Sequence, residues 1–436
     1  MIINFSVQNF GSIKDKQTLS FEADKSTHLE DYYVINENGL RLLKLGLIYG
    51  ANASGKTTIL KALDFLRDIV LKPKDKKTEA FDFKPFLFDT NTPNQNTFFS
   101  IEFFQRKIRY LYEVELNEKA IVKEELYFYN PNRANVFKRT TDLDKQFSAI
   151  TFGSKIKVDK VFEKTLVSYT LWNNTVLGGF LKTNMESEEL KDVTDWFSLY
   201  LNPLISPKLK LDNYITSLIG ESKIKKSTII QVLNKADFNI SDILIREVEE
   251  DLSDEFVKFL ENQAKISKDE LSELKKKGKV TSLDLSFEHT IYNVKYSLPL
   301  DEESAGTQRY YGLAGVLYML IKQSMAFPID ELEASLHPDL FIHFLLSFLV
   351  NSKNSQIIAT THNREFFQDK DIFRKDAIWI TDKPENGATE LYSIADFDTS
   401  VIRDTSNIYN AFNVGKLGGI PNLGDYYIDM DYDEAK

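Results

Sequence analysis

Nine residues constrain the fold of this chain more than any other segment: Gly50-Ala-Asn-Ala-Ser-Gly55-Lys56-Thr57-Thr58. They match G-x-x-x-x-G-K-[ST] in the one context where that string has structural meaning, a buried strand before it and a helix after it. Leu45-Gly-Leu-Ile-Tyr49 is short and apolar, like a strand covered on both faces in a parallel sheet. From Thr57 the period changes. Ile59, Leu60, Ala62, Leu63, Leu66, Ile69 and Val70 recur at helical spacing, and the helix should stop before Pro73. Such a loop turns successive backbone N–H groups toward a phosphate chain, and the helix start adds positive potential. Gly50, Asn52, Ala53, Ser54, Gly55, Lys56, Thr57 and Thr58 are therefore the candidate phosphate-binding residues. Lys56 can reach the β- and γ-phosphates, and the Thr57 hydroxyl can ligate Mg2+. The loop reads phosphates rather than the base, so the pattern admits ATP and GTP alike.

Three later strings fall in an order that gives each a meaning it lacks alone. In Met325-Ala-Phe-Pro-Ile-Asp330-Glu331, an acid pair closes an apolar run. Asp330 would hold Mg2+ through water, and Glu331 would orient and polarise the attacking water. Pro328 interrupts the aliphatic run expected there and removes a ladder donor from a central strand. Upstream, Ser304-Ala-Gly-Thr-Gln308-Arg309 precedes a helical stretch (Tyr311, Ala314, Leu317, Leu320, Ile321). Its N–H groups and hydroxyls make Ser304, Gly306, Thr307 and Gln308 a candidate anion-binding helix start, although alone the string reads equally as an ordinary N-cap. Downstream, in Thr360-Thr-His362-Asn363, His362 follows Ile357-Ile-Ala at the carboxyl end of a predicted strand, where ligands bind in open α/β sheets. It is the candidate γ-phosphate sensor.

Around these strings the chain divides into residues 1–140, 141–280 and 281–436. The first part is β-rich: Ile2–Val7 alternates, Gly11-Ser12 turns, and residues 97–130 read as an antiparallel meander with a hairpin turn at Asn117-Glu118-Lys119. Residues 141–280 read as helices with polar connections, among them Ser253–Lys277. Strands return near 281–298. Net charge is −11, and residues 381–436 carry 11 Asp+Glu against 4 Lys+Arg, so any nucleic-acid contact must use a local patch. There are no cysteines, which excludes disulfides and thiolate chemistry. The five histidines (His28, His289, His337, His343, His362) show no metal-ligand spacing. The start lacks a signal-peptide pattern, and the longest apolar run, 340–350, is too short to span a bilayer. A soluble cytoplasmic protein with no membrane partner is expected.

In this order the motifs resemble the ABC-type ATPases, and within them the SMC-like branch. Asp330-Glu-Leu-Glu-Ala-Ser-Leu-His337-Pro338 is similar to the DExExSLHP string of bacterial defence ATPases related to the OLD proteins, whose signature also reads SxGTxR. Ile3–Ile13 looks like the branch's opening strand and turn, and Asn413–Pro421 like the closing segment of stand-alone members without a Toprim domain. The resemblance covers roughly 1–130 and 281–421. It implies an α/β ATPase head: a mixed sheet with an antiparallel β subdomain, plus a helical insertion. It also implies ATP as substrate, Mg2+ as cofactor, Glu331 as general base and His362 as switch residue. Two heads would sandwich ATP, with Ser304 and Gly306 of one copy meeting the γ-phosphate held by Lys56 of the other, and Ser335–His337 as the D-loop. Gln95 and Gln105 fall in the region of the family's Q-loop glutamine, but neither stands in a context that singles it out.

The expectation is therefore an ATP-hydrolysing switch that assembles with itself and controls a separate effector, a nuclease or toxin, in antiphage defence. Residues 141–280 lack a sustained heptad and cannot form a long arm. Lys223, Lys225 and Lys226, with Lys275, Lys276, Lys277 and Lys279, could touch nucleic acid or simply face solvent. A DNA-repair or chromosome-maintenance ATPase is the alternative. A transporter subunit is disfavoured by the 97–130 meander. A nuclease would have to use Asp429 and Asp431, for which no surrounding fold is evident.

Overall fold

The strand that feeds the glycine loop sits in the middle of a five-stranded sheet, and everything else in the larger of two units is arranged around it. The computed structural model describes residues 1–251, 276, 279–397, 408–421 and 425–426. Unit 1 comprises Met1–Pro207, Ser324–Leu332 and Ser352–Lys436; unit 2 comprises Lys208–Gln323 and Glu333–Asn351. Along the chain run β1 (Ile2–Gln8), β2 (Gln17–Ser20), β3 (Val34–Glu37), β4 (Leu40–Leu43) and β5 (Leu45–Gly50). They are followed by β6 (Thr97–Gln105), β7 (Ile108–Leu116), β8 (Ile121–Tyr129), β9 (Arg133–Asp142) and β10 (Phe147–Phe152). Unit 2 then contributes β11 (Asp242–Asp251), β12 (Lys279–Ile291) and β13 (Val294–Pro299). Unit 1 resumes with β14 (Ala326–Ile329), β15 (Gln356–Thr360), β16 (Ile378–Asp382) and β17 (Glu390–Ser393).

The core sheet has the order β14-β15-β5-β16-β17, parallel except for the antiparallel β17. All six residues of β5 are buried, as are those of β14 and β15, which explains why these strands read as continuous apolar runs. Helix Lys56–Leu71 follows β5 with Ile59, Leu60, Ala62, Leu63, Leu66, Ile69 and Val70 buried, the stripe expected from the sequence. The second sheet of unit 1 is antiparallel, in the order β10-β9-β8-β7-β6-β1-β2. The meander runs past the expected 130: the boundary expected at 141 falls inside the β9–β10 hairpin, where Asp142 pairs with Phe147.

The meander is pinned from inside by one ion pair. Arg139 and Glu124 are both 0% exposed, with Nη1 and Oε2 3.4 Å apart. Glu124 also accepts from Tyr112 Oη (2.8 Å) and Val176 N (2.8 Å), and Arg139 Nη2 donates to Ser148 Oγ (2.8 Å) and Trp172 O (3.0 Å). β7, β8, β9 and β10 are thereby tied to the segment 171–176. Burial pushes the Glu124 carboxyl up and the Arg139 guanidinium down, each opposed by the other's charge.

Unit 2 packs helices Asp212–Gly220, Lys226–Lys235, Ala305–Lys322 and Pro338–Asn351 with the antiparallel sheet β11-β12-β13. The expected boundary at 281 lies inside β12, where Thr281 pairs with Glu249, so the stretch read as a helical insertion also contributes a sheet strand. Gly312 and Gly315 let helix Ala305–Lys322 approach its neighbours: a Cβ on Gly312 would lie 2.7 Å from Leu211 Cβ, and one on Gly315 would overlap the Ile215 side chain. The helix read over Ser253–Lys277 lies outside the described residues, apart from Lys276.

Arg139→Met is expected to destabilise unit 1 by about 3–5 kcal/mol, because it leaves the Glu124 carboxylate buried and uncompensated. Adding Glu124→Gln should recover much of that loss. Urea unfolding of the two variants checks this, and an unchanged midpoint for Arg139→Met would remove the ion pair from the account.

Candidate functional site

The glycine loop, residues 50–55, leaves the carboxyl end of β5 and enters helix Lys56–Leu71. Ala53 (φ 62°) and Gly55 (φ 106°) take left-handed backbone, which lets the loop curl back on itself. Only glycine fits at 55, since a Cβ there would overlap Thr389 and lie 2.9 Å from Ser12 Oγ. Lys56 lies across the loop, its Nζ donating to Gly50 O (2.9 Å) and Ala51 O (3.0 Å). A cleft of about 240 Å3 opens here, lined by Ser12, Asn52–Thr58, Glu331 and His362.

Asp330 follows β14 and is 7% exposed. Its carboxylate accepts from Thr57 Oγ1 at 3.0 and 3.1 Å and from Thr360 Oγ1 at 2.6 Å. Thr360 ends β15, and its hydroxyl oxygen also accepts from Glu331 N at 2.8 Å. One threonine therefore sets both acids. Glu331 is exposed at the cleft with φ 46°, a backbone conformation that costs a non-glycine residue energy and is found where surrounding structure enforces it. His362 is exposed two residues beyond β15. Thr57 and Asp330 bring a hydroxyl and a carboxylate together, hard oxygen donors of the kind Mg2+ takes beside phosphate oxygens and water, so the donor set fits that ion. Among the described residues there is no group of three or more His, Cys, Asp or Glu that could hold a metal by itself.

Four hydroxyl residues with no role assigned from the sequence support the site, three of them at the loop and one at the acid pair. Thr381 Oγ1 lies 2.6 Å from Ser54 Oγ; Thr389 Oγ1 donates to Ser54 O (2.9 Å) and Ser12 Oγ (2.7 Å); Ser12 Oγ reaches Thr58 Oγ1 (3.1 Å). Thr360 is the fourth. Thr360 and Thr381 sit at or near strand carboxyl ends, and that position is the only sequence signal that could have found them.

Unit 2 holds the other candidate residues. Ser304 caps helix Ala305–Lys322, its Oγ accepting from Thr307 N (3.1 Å) and lying 2.8 Å from Thr307 Oγ1. Gln308 Nε2 donates to Glu303 O (2.9 Å). Ser304 is exposed, Gly306 and Gln308 are half-buried, and Thr307 is buried. A Cβ on Gly306 would lie 3.0 Å from Ser335 O, so the segment carrying Ser335 (φ 64°) rests against the first turn of this helix. His337 is exposed, and its Nδ1 accepts from Asp339 N at 3.3 Å. The Arg309 guanidinium nitrogens are shielded from solvent and make no hydrogen bond among the described residues. Burial pushes its pKa down, while the nearby Glu333 carboxylate opposes this.

Gln95 follows a 3-10 turn at Thr92–Asn94 and Gln105 ends β6, and neither lines the phosphate cleft. The segment beside β14 is 201–205, with parallel bridges Leu201–Ala326 and Ile205–Ile329, and Asp330 N donates to Ile205 O (2.9 Å). It contains no glutamine, and Ser206 follows it. In the first lysine cluster, Lys223 pairs with Glu221 (2.6 Å) and Lys226 with Asp242 (2.7 Å), leaving Lys225 exposed. Lys276 is exposed; Lys275, Lys277, the Lys279 side chain, Asp429 and Asp431 lie outside the described residues. No described helix is long and apolar enough to cross a membrane.

The chain is similar to an SmcHead solved bound to the C-winged helix domain of ScpA (14% identity, TM-score 0.40, covering 90% of this chain and 97% of that one). It is also similar to an SMC head domain from Thermotoga maritima (11%, TM-score 0.39, 90% and 98%). A third is an Smc head domain with an extended coiled coil bound to a ScpA C-terminal domain derived from Pyrococcus furiosus (12%, TM-score 0.37, 95% and 98%). At TM-scores this low the likeness carries no part of the functional reading. No curated protein matches the sequence significantly. A family model described as "AAA domain, putative AbiEii toxin, Type IV TA system" matches residues 47–164 and 204–367, which include the glycine loop, Ser304–Gln308, the acid pair and His362. Together these segments make up more than half of the chain, which therefore belongs to this family of AAA-type ATPase domains, AAA_21.

Proposed function

We propose that the chain is an Mg2+-dependent ATPase that works as a switch, closing with a second copy on ATP and thereby controlling a separately encoded nuclease or toxin in antiphage defence. The observation that carries the ATPase reading is the Thr57–Asp330–Thr360–Glu331 network, which joins a hydroxyl and a carboxylate at the start of the helix and sets the exposed Glu331 on the cleft beside Lys56. The toxin–antitoxin wording of the family description supports the defence role.

Lys56 exchanges its contacts with Gly50 O and Ala51 O for the β- and γ-phosphates, and the loop N–H groups hold the remaining phosphate oxygens. Thr57 and Asp330 would hold Mg2+, which would supply charge neutralisation for the bound phosphates. Glu331 orients and deprotonates the attacking water, held in aim by the hydrogen bond from its own N–H to Thr360. His362 contacts the γ-phosphate. Ser304 and Gly306 of a second copy complete the site, with Ser335–His337 as the loop between the two sites. Closure is then a population shift driven by contacts made only with ATP present.

Glu331→Gln is expected to lower ATP turnover about 10²–10⁴-fold while ATP binding persists. Light scattering should show that variant accumulating as a dimer with ATP, whereas Lys56→Ala should lose about 10–100-fold in ATP affinity and stay monomeric. Turnover unchanged in Glu331→Gln would take the base assignment away. Thr360→Val should lower kcat by about 10-fold or more with KM for ATP little changed, because it loosens both acids without touching the phosphate loop. The effector is tested by co-purification from the native host with Glu331→Gln and Lys56→Ala as bait, followed by mass spectrometry. A nuclease or toxin enriched with one variant over the other is the expected result; DNA-repair factors in its place would overturn the defence role.

A further inference from the structure

The residues assigned so far grip phosphates, and none of them meets a base. Phe88 stands close by, 72% exposed beside Leu87 at 60%, an unusual exposure for two large apolar residues in a row. Their loop is fixed at both ends to the turn that lines the phosphate cleft. Gly11 N donates to Lys84 O (2.7 Å), Phe86 N to Asn9 Oδ1 (2.9 Å), and Lys14 pairs with Asp89 (2.6 Å). The Phe88 ring lies against the turn Pro384–Gly387, where a Cβ on Gly387 would come within 3.0 Å of Cδ2, and Lys383 Nζ sits 5.5 Å from the ring centroid. Two residues on, Thr389 donates to Ser54 O of the phosphate loop and to Ser12 Oγ, which in turn reaches Thr58. The aromatic ring is therefore carried on two loops that are both built into the wall of the phosphate site.

The polarity of a bound nucleotide decides which end meets it. Hydrolysis requires the γ-phosphate at Glu331 and His362, with Lys56 at the β/γ junction. The α-phosphate and sugar then leave past Thr58 and Ser12, the side on which Thr389, Gly387 and Phe88 follow. We infer that Phe88 is the base platform of this site, on which the nucleobase of ATP or GTP stacks, with Lys383 at its rim. This rests on the nucleotide-binding reading above. An exposed cation–π contact with Lys383 is weak, and a stacked base replaces it with a larger flat contact. Phe88 carries no hydrogen-bonding group, so the platform accepts either purine.

Titration calorimetry with ATP, GTP and inorganic tripolyphosphate, all with Mg2+, tests this on the full chain and on Phe88→Ala, Phe88→Trp and Lys56→Ala. Phe88→Ala should lose about 5- to 100-fold in affinity for ATP and GTP equally, and bind tripolyphosphate as the wild type does. Phe88→Trp should bind nucleotide normally, with its fluorescence altered by ATP and not by tripolyphosphate. Wild-type affinity for ATP in Phe88→Ala, or an equal loss for tripolyphosphate, overturns the platform while leaving the phosphate site standing. ATP binding that is absent in the wild type, or unaffected by Lys56→Ala, removes the phosphate site and the platform with it.

Discussion

A carboxylate placed at the end of a short parallel strand has to be held by something other than the strand, and here the Asp330 oxygens are held by two threonines from different elements. Thr57 begins the helix after β5 and Thr360 ends β15, so their hydrogen bonds to Asp330 join three neighbouring points along the carboxyl edge of the core sheet. Hydrogen bonds to a buried charge are among the stronger ones available to a protein, and losing one leaves the charge poorly solvated. The same Thr360 oxygen takes the Glu331 N–H, and Leu332 N donates to Thr360 O (3.1 Å). The strained backbone of Glu331 is thus bracketed on both sides by bonds to one residue of β15. The position of the proposed base is consequently a property of the sheet edge.

The chain passes between the two units four times, after Pro207, Gln323, Leu332 and Asn351. One of these passages begins a single residue after Glu331. Glu333, whose charge opposes the effect of burial on Arg309, therefore follows the proposed base by two residues in the chain. On the far side, Ser335 rests its carbonyl against Gly306, in the first turn of the helix capped by Ser304. The proposed base and the proposed loop Ser335–His337 thus share one short stretch of covalent chain, and that loop rests against Gly306. In a switch of the kind proposed, displacement of that stretch has a direct backbone route to Glu331 through the buried Leu332.

The parts of the fold that repeat with a period were legible in the sequence. The glycine loop with its strand and helix, the meander over 97–130, and the helix after Ser304 all emerged where periodicity and turn chemistry put them. In unit 2 the strands expected near 281–298 are β12 and β13, but their neighbour β11 was not legible. β11 reads Asp-Ile-Leu-Ile-Arg-Glu-Val-Glu-Glu-Asp, too acidic to announce a strand, and its partner β12 begins 28 residues later, at Lys279. Local patterning cannot report a pairing across such a gap. Ser12, Thr360, Thr381 and Thr389 were given no role for a related reason: a single hydroxyl residue has no period, and only tertiary folding brings these four to the phosphate loop and Asp330. No glutamine lines the phosphate cleft among the described residues, and the segment beside β14 is 201–205.

That same segment accounts for the proline that sits awkwardly in the β14 sequence. In a parallel strand both backbone groups of a residue point to the same neighbour. Gln356 N donates to Met325 O, so odd-numbered residues of β14 face β15; Asn202 N donates to Ala326 O and Ile205 N to Pro328 O, so even-numbered residues face 201–205. The donor that Pro328 lacks would therefore have pointed at residues 202–204, not at the well-paired β15. There the neighbour is irregular: Pro203 has no N–H of its own, and Leu204 N turns away to Asp64 Oδ1 (2.9 Å) on helix Lys56–Leu71. Pro328 therefore costs no bond to β15, and its carbonyl still accepts from Ile205 N (2.9 Å). The same segment then accepts from Asp330 N through Ile205 O (2.9 Å), so the residue whose carboxylate meets Thr57 is tied by its backbone to 201–205.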